Sequence, residues 1–140
     1  MSISENNKTS QKIYRGEHFT MILHSIGIIE LIWSDSVHEV NLRIMEDVVV
    51  KVGELGESKR MPIFIATKPF MSLTEDARKF VASEVGQQFT MANGILIDNL
   101  GKRILYNFFI KFTKMPTPIK AFKSREVAFE WLEEFIEPLK

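Results

Sequence analysis

The chain has 140 residues, 45% hydrophobic and 26% charged, which suits one domain with its own core. Lys and Arg number 18 against 18 Asp and Glu, so no global field draws in nucleic acid, and no nucleic-acid motif is present. Cysteine is absent, which excludes thiol catalysis, disulfide staples and cysteine zinc sites and fits a reducing compartment.

No apolar run approaches the roughly 18 residues of a membrane span. The polar opening, "MSISENNKTSQK", has no signal-peptide core. Residues 1–15 read as a disordered or loosely attached tail, followed by a single domain over 16–140. A cytoplasmic protein is expected. In "HFTMIL" (18–23), Phe19, Met21 and Leu23 alternate with their neighbours; Gly27 then breaks the run and "IIELIW" resumes it to Trp33. That predicts a hairpin. Ser36 with Glu39 forms a capping box, and Val37, Val40, Ile44, Val48, Val52 and Leu55 follow at helical spacing. "MPIFIAT" (61–67) is a buried strand, and Ser72 with Glu75 caps a second helix. "ANGILID" (92–98) is another strand. Asp98 or Asn99 caps a third helix, which Pro116 and Pro118 stop. "PIKAF" (118–122) is a last short strand, and Ser124 caps a final helix over "REVAFEWLEEFI". Strands separated by single helices predict parallel neighbours, with the hairpin as an antiparallel addition.

The third helix is the least ordinary stretch. With each residue about 100° on from the last, Ile104, Leu105, Phe108, Phe109 and Phe112 form one arc, read as the core face. Tyr106 and Ile110 fall outside it, four apart and bordered by Lys102, Arg103 and Lys114. They read either as a harmless exposed pair or as a small contact stripe with Phe109 at its edge, the latter suited to a homodimer or a protein partner. From Asn99 to Arg125 there are seven basic residues and no acidic one, while the final helix carries Glu126, Glu130, Glu133, Glu134 and Glu137. Salt bridges between neighbouring elements explain this polarity; the alternative is a site for a phosphate or carboxylate around Lys102, Arg103 and Lys120.

Catalytic signals are missing. His18, His24 and His38 have no metal-ligand spacing. "GELGES" follows a helix, whereas a phosphate loop precedes one, and Glu75 with Asp76 complements a helix dipole. The expectation is a non-enzyme with no cofactor and no metal.

The closing third, "GILIDN", then "RILYNFF", then "AFEWL", resembles in its order small bacterial proteins of the STAS/SEC14-like group, related in fold to the SpoIIAA-like anti-sigma-factor antagonists. The resemblance covers residues 18–137 and is strongest from Gly94 to Leu132. It implies an α/β fold: a SpoIIAA-like mixed sheet of about five strands with about four helices. It further implies a regulatory or protein-interaction module. Antagonists of that kind bind a kinase and are switched by phosphorylation of a Ser or Thr at the start of the helix after a central strand. Here "ATKPFMSLTEDARKF" places Ser72 and Thr74 nearby but lacks the Asp-Ser-Ser/Thr-Gly pattern, and a capping role for Ser72 is favoured. The SEC14 side of the resemblance implies a lipid-like ligand held between helices and sheet. Phe70 and Met71 would then be a lip; a staple on the second helix is preferred.

Overall fold

The computed structural model describes residues 11–68, 71–112 and 114–136, with backbone alone for 108–112. Eight strands and four helices follow in the order β1 (Lys12–Arg15), β2 (Phe19–Leu23), β3 (Ile29–Trp33), β4 (Glu39–Val40), α1 (Leu42–Leu55), β5 (Met61–Ala66), β6 (Ser72–Leu73), α2 (Glu75–Val81), β7 (Thr90–Leu96), α3 (Leu100–Phe112), β8 (Ile119–Phe122) and α4 (Arg125–Glu133). The main sheet has the order β1-β2-β3-β5-β7-β8. β1 and β2, and β2 and β3, pair antiparallel; β3, β5, β7 and β8 run parallel. This is a mixed α/β sheet with four helices, as expected, but with six strands in place of about five. The extra strand comes from the tail: residues 12–15, read as loosely attached, form β1 on the sheet edge. The hairpin turn needs Gly27, whose φ is +98°.

Two helix starts fall later than the capping boxes predict. Ser36 and Glu39 do not cap α1; Glu39–Val40 pairs with Ser72–Leu73 as a two-stranded parallel ladder, and Asn41 Oδ1 accepts the Ile44 N–H. The same ladder removes Ser72 from its predicted cap. Thr74 takes that place and accepts the Ala77 N–H. Ser124 and Asn99 do cap α4 and α3.

The two sheet faces are covered differently. On one, α4 packs Ala128 and Leu132 against Phe64, Ala92 and Phe122. Leu132 comes so close to Gly94 that a Cβ there would lie 3.0 Å from its Cδ1. The other face carries Met21, Leu31, Trp33, Ile63 and Ile95, with Val48 and Val52 of α1 packed on the first four.

Glu30 holds the hairpin to α4. It is 8% exposed and takes a bidentate pair from Arg125 at 2.6 and 2.8 Å, with His24 Nε2 at 2.8 Å. The guanidinium also sits 4.6 Å from the Phe129 ring centre. Burial would raise the Glu30 pKa, but the hydrogen bonds from Arg125 and His24 outweigh it and hold the carboxyl below its ordinary 4.5.

Helix α3 is rotated relative to the arc read from the sequence. Ile104 and Leu105, placed in the core by that reading, are 61% and 55% exposed. Tyr106, read as outward, packs against Ile95, Ile97 and Ala121. The polar residues around it explain the rotation. Arg103 donates to the Ile97 carbonyl at 2.8 Å, and Asn107 Oδ1 accepts the Ala121 N–H at 3.2 Å. The side chains of Phe108, Phe109 and Phe112, the rest of that arc, and of Ile110 lie outside the described residues.

Two outcomes are expected in chemical denaturation. Arg125→Ala strands a buried carboxylate and costs about 2–3 kcal/mol, the lower range because Arg125 is half exposed. A depressed folded pKa gives stability that is present above the ordinary carboxylate range and lost as pH falls through the folded value. The gap between wild type and variant therefore narrows below about pH 4. On α3, Ile104→Asp changes stability by less than about 0.5 kcal/mol, whereas Tyr106→Asp costs about 3 kcal/mol. Equal costs at the two positions would contradict the orientation of α3.

Candidate functional site

Between the Met21–Leu31–Ile63–Ile95 face and helices α1, α2 and α3 lies a cavity of about 760 Å³. Its walls follow from strand alternation: each parallel strand turns one set of apolar side chains to α4 and the other set to this space. Val48 and Val52 of α1, Val81 of α2 and Tyr106 of α3 form the opposite wall. The space reaches the surface beside α3, where Leu105 both lines it and is 55% exposed.

The two ends differ in chemistry. At the carboxyl ends of β3 and β5, the cavity is bordered by Trp33, Thr67, Lys68, Met71 and Ser72, with Arg78 and Lys102 nearby on α2 and α3. Lys68 Nζ donates to the Ser34 carbonyl, and Arg78 Nη1 donates to the Leu73 carbonyl at 2.8 Å. Among the described residues no carboxylate pairs with Lys68 or Arg78, so this end is cationic. Trp33 Nε1 is a buried donor without a partner among the described residues, at a cost of about 1–3 kcal/mol.

The amino-terminal end is polar but neutral. Gln87, Thr90, Asn93 and Thr117 are all buried. Asn93 Nδ2 donates to Gln87 Oε1 at 2.9 Å, to Thr117 Oγ1 at 3.2 Å and to the Pro118 carbonyl at 3.3 Å. Gln87 Nε2 donates to the Val81 carbonyl at 2.9 Å, and the Thr117 hydroxyl contacts Gln87 Oε1. Along the α3 wall, burial pushes the Tyr106 phenol up to about 12, so it stays neutral.

The residues singled out from sequence are distributed unevenly. Lys102 lines the cavity. Arg103 is held by the Ile97 carbonyl. Lys120 lies on the α4 side of β8, its ammonium 5.5 Å from the Phe122 ring, because Ala121 takes the α3 side. The three therefore do not form one head-group site. Tyr106 lines the cavity and belongs to no outward stripe. Lys68 and Arg78 were missed because they lie outside the basic run at 99–125; the signal for Lys68 was its place just past the buried strand "MPIFIAT". The expected bridging between that run and the α4 glutamates does not occur among the described residues; Arg125 turns to Glu30 instead. Phe70 lies outside the described residues, and Met71 lines the cavity. Ser72 is exposed at the same mouth, and the Thr74 hydroxyl donates to Asp76 Oδ1 at 2.6 Å.

Among the described residues there is no group of three or more His, Asp or Glu side chains placed to hold a metal, and no helix long and apolar enough to cross a membrane. Comparison with solved structures finds similarity to an uncharacterized protein from the DUF3478 family, with a SpoIIAA-like fold, from Shewanella loihica PV-4. The TM-score is 0.51 at 16% identity, over 94% of this chain and 99% of that one, and the likeness supports a SpoIIAA-like fold. No curated protein matches the sequence. A family model described as a domain of unknown function, DUF7793, matches residues 21–136, and the chain belongs to that family.

Proposed function

We propose that this chain is a non-enzymatic binding protein whose cavity takes an elongated apolar molecule with an anionic head group. The cavity carries the reading: about 760 Å³, apolar along most of its length and cationic at one end. Ligand sites commonly measure about 300–1,000 Å³. A flexible apolar chain would make dispersion contacts along Leu31, Ile63 and Ile95 and would release water from that lining. The carboxylate or phosphate of such a molecule would meet Lys68, Arg78 and Lys102, where opposite charge offsets its desolvation. The SEC14-like side of the resemblance supports the same reading.

A second reading, a regulatory protein-interaction module that forms a homodimer, is favoured by one observation. Leu100, Ile104 and Leu105 are all more than half exposed on α3. The contact would then use these residues in place of Tyr106. A doubled mass in sedimentation that Ile104→Asp reduces to a single mass would support it.

Dodecanoic acid and dodecanol test the first reading. Trp33 lines the cavity and Trp131 packs on Phe122 across the sheet, so Trp131→Phe leaves one reporter. Dodecanoic acid is expected to change Trp33 emission and, at a hundredfold excess over Kd, to add about 2.7 kcal/mol of stability. Lys68→Ala with Lys102→Ala lowers the affinity for the acid about tenfold and leaves that for the alcohol little changed. No response to either compound would overturn the proposal.

A further inference from the structure

The neutral end of the cavity contains an unused acceptor. Asn93 is 5% exposed, and its amide orientation is settled by Pro118, whose carbonyl only accepts and so faces Nδ2. The side chains of Gln87 and Thr117 are occupied with one another and with Asn93. Gln87 Oε1 receives the Asn93 amide, Thr117 Oγ1 sits between both, and Gln87 Nε2 is turned to Val81. Asn93 Oδ1 accepts no hydrogen bond among the described residues. It is also not a sealed orphan, since Trp33 Nε1 is the buried side-chain atom left unpartnered among those residues. Asn93 lines the cavity, and Oδ1 is the polar atom of its side chain that Gln87, Thr117 and Pro118 leave unoccupied.

Strand register gives its separation from the cationic end. Asn93 lies opposite Ile63 on β5, and Lys68 is five residues further along that chain. β5 ends at Ala66, so at about 3.3 Å per residue the backbones of Asn93 and Lys68 are separated by at most roughly 16 Å. Apolar side chains of β5 and β7, among them Ile65 and Ile95, fill the interval.

We propose that the ligand carries, remote from its anionic group, a hydrogen-bond donor such as a hydroxyl or amide N–H, which Asn93 Oδ1 accepts. This rests on the reading of the cavity as a site for an anionic amphiphile, and it narrows the class to molecules polar at both ends. Discrimination follows from the sign of the effect. A terminal hydroxyl weakens binding to a purely apolar pocket, because its desolvation goes uncompensated. Opposite a fixed acceptor it strengthens binding, and an analogue without it leaves the acceptor unpaired.

The experiment is a calorimetric titration of the full chain with dodecanoic acid and with ω-hydroxydodecanoic acid. The hydroxy acid is expected to bind about fivefold tighter. Asn93→Leu should still bind dodecanoic acid and should reverse the order, with the hydroxy acid about tenfold weaker. The wild-type comparison stands alone if Asn93→Leu fails to fold once Gln87 and Thr117 lose their donor. Equal or weaker binding of the hydroxy acid by wild type, with dodecanoic acid bound, overturns this inference and leaves the proposed function in place. Binding of neither acid overturns both.

Discussion

The parallel run β3-β5-β7-β8 must be covered on both faces, and everything else in the fold answers to that constraint. One helix covers one face closely. Leu132 of α4 sits against the bare backbone at Gly94, and Ala128 keeps the helix near the sheet. Three helices cover the other face, and they meet it with long or branched side chains that stand off the strands. The space appears on the side of α1, α2 and α3, and the chain places its apolar strand residues there regardless.

How much of this was legible depended on whether a local signal was also the deciding one. Alternation exposed the hairpin and a continuous apolar run exposed "MPIFIAT", because in each the local pattern is also what decides burial. Ser124 was legible as a cap because nothing competes for it. Ser36 and Ser72 were not, because a pairing between residues 39–40 and 72–73 claims the backbone around both. No local pattern announces two residues that pair across more than thirty positions. α3 shows the limit most clearly. Periodicity identifies an apolar arc but does not say which arc faces in. That is decided by hydrogen bonds from outside the helix: β8 is an edge strand, its Ala121 N–H points away from β7, and Asn107 supplies the acceptor. Arg103 does the same for the Ile97 carbonyl at the end of β7. Two polar residues four apart thus turn the helix, carry Tyr106 inward and leave Ile104 and Leu105 at the surface.

The candidate site was legible in parts for a related reason. The basic run at 99–125 is conspicuous in the sequence, yet strand alternation divides it, sending Lys120 to one face of the sheet and Lys102 to the other. The cations that share the cavity come from three separate segments: Lys68 after β5, Arg78 in α2 and Lys102 in α3. What unites them is strand direction, since parallel strands present their carboxyl ends together and loops from each converge there. A reading built on sequence proximity has no access to that convergence.

The same end of the fold is where SpoIIAA-like antagonists place a switch hydroxyl, and here the two available hydroxyls are employed differently. Thr74 Oγ1 receives the Ala77 N–H and donates to Asp76, so it is committed to holding the first turn of α2. Ser72, released from capping by the β4–β6 ladder, lies exposed at the mouth of the cavity beside Lys68 and Met71. A hydroxyl in that position is a neutral donor among cations, a composition suited to a bound anion. Phosphate added to the same oxygen would place negative charge among those cations and compete with the head group for them. On the proposed reading of the cavity, this is the point where a covalent anion would oppose a bound head group.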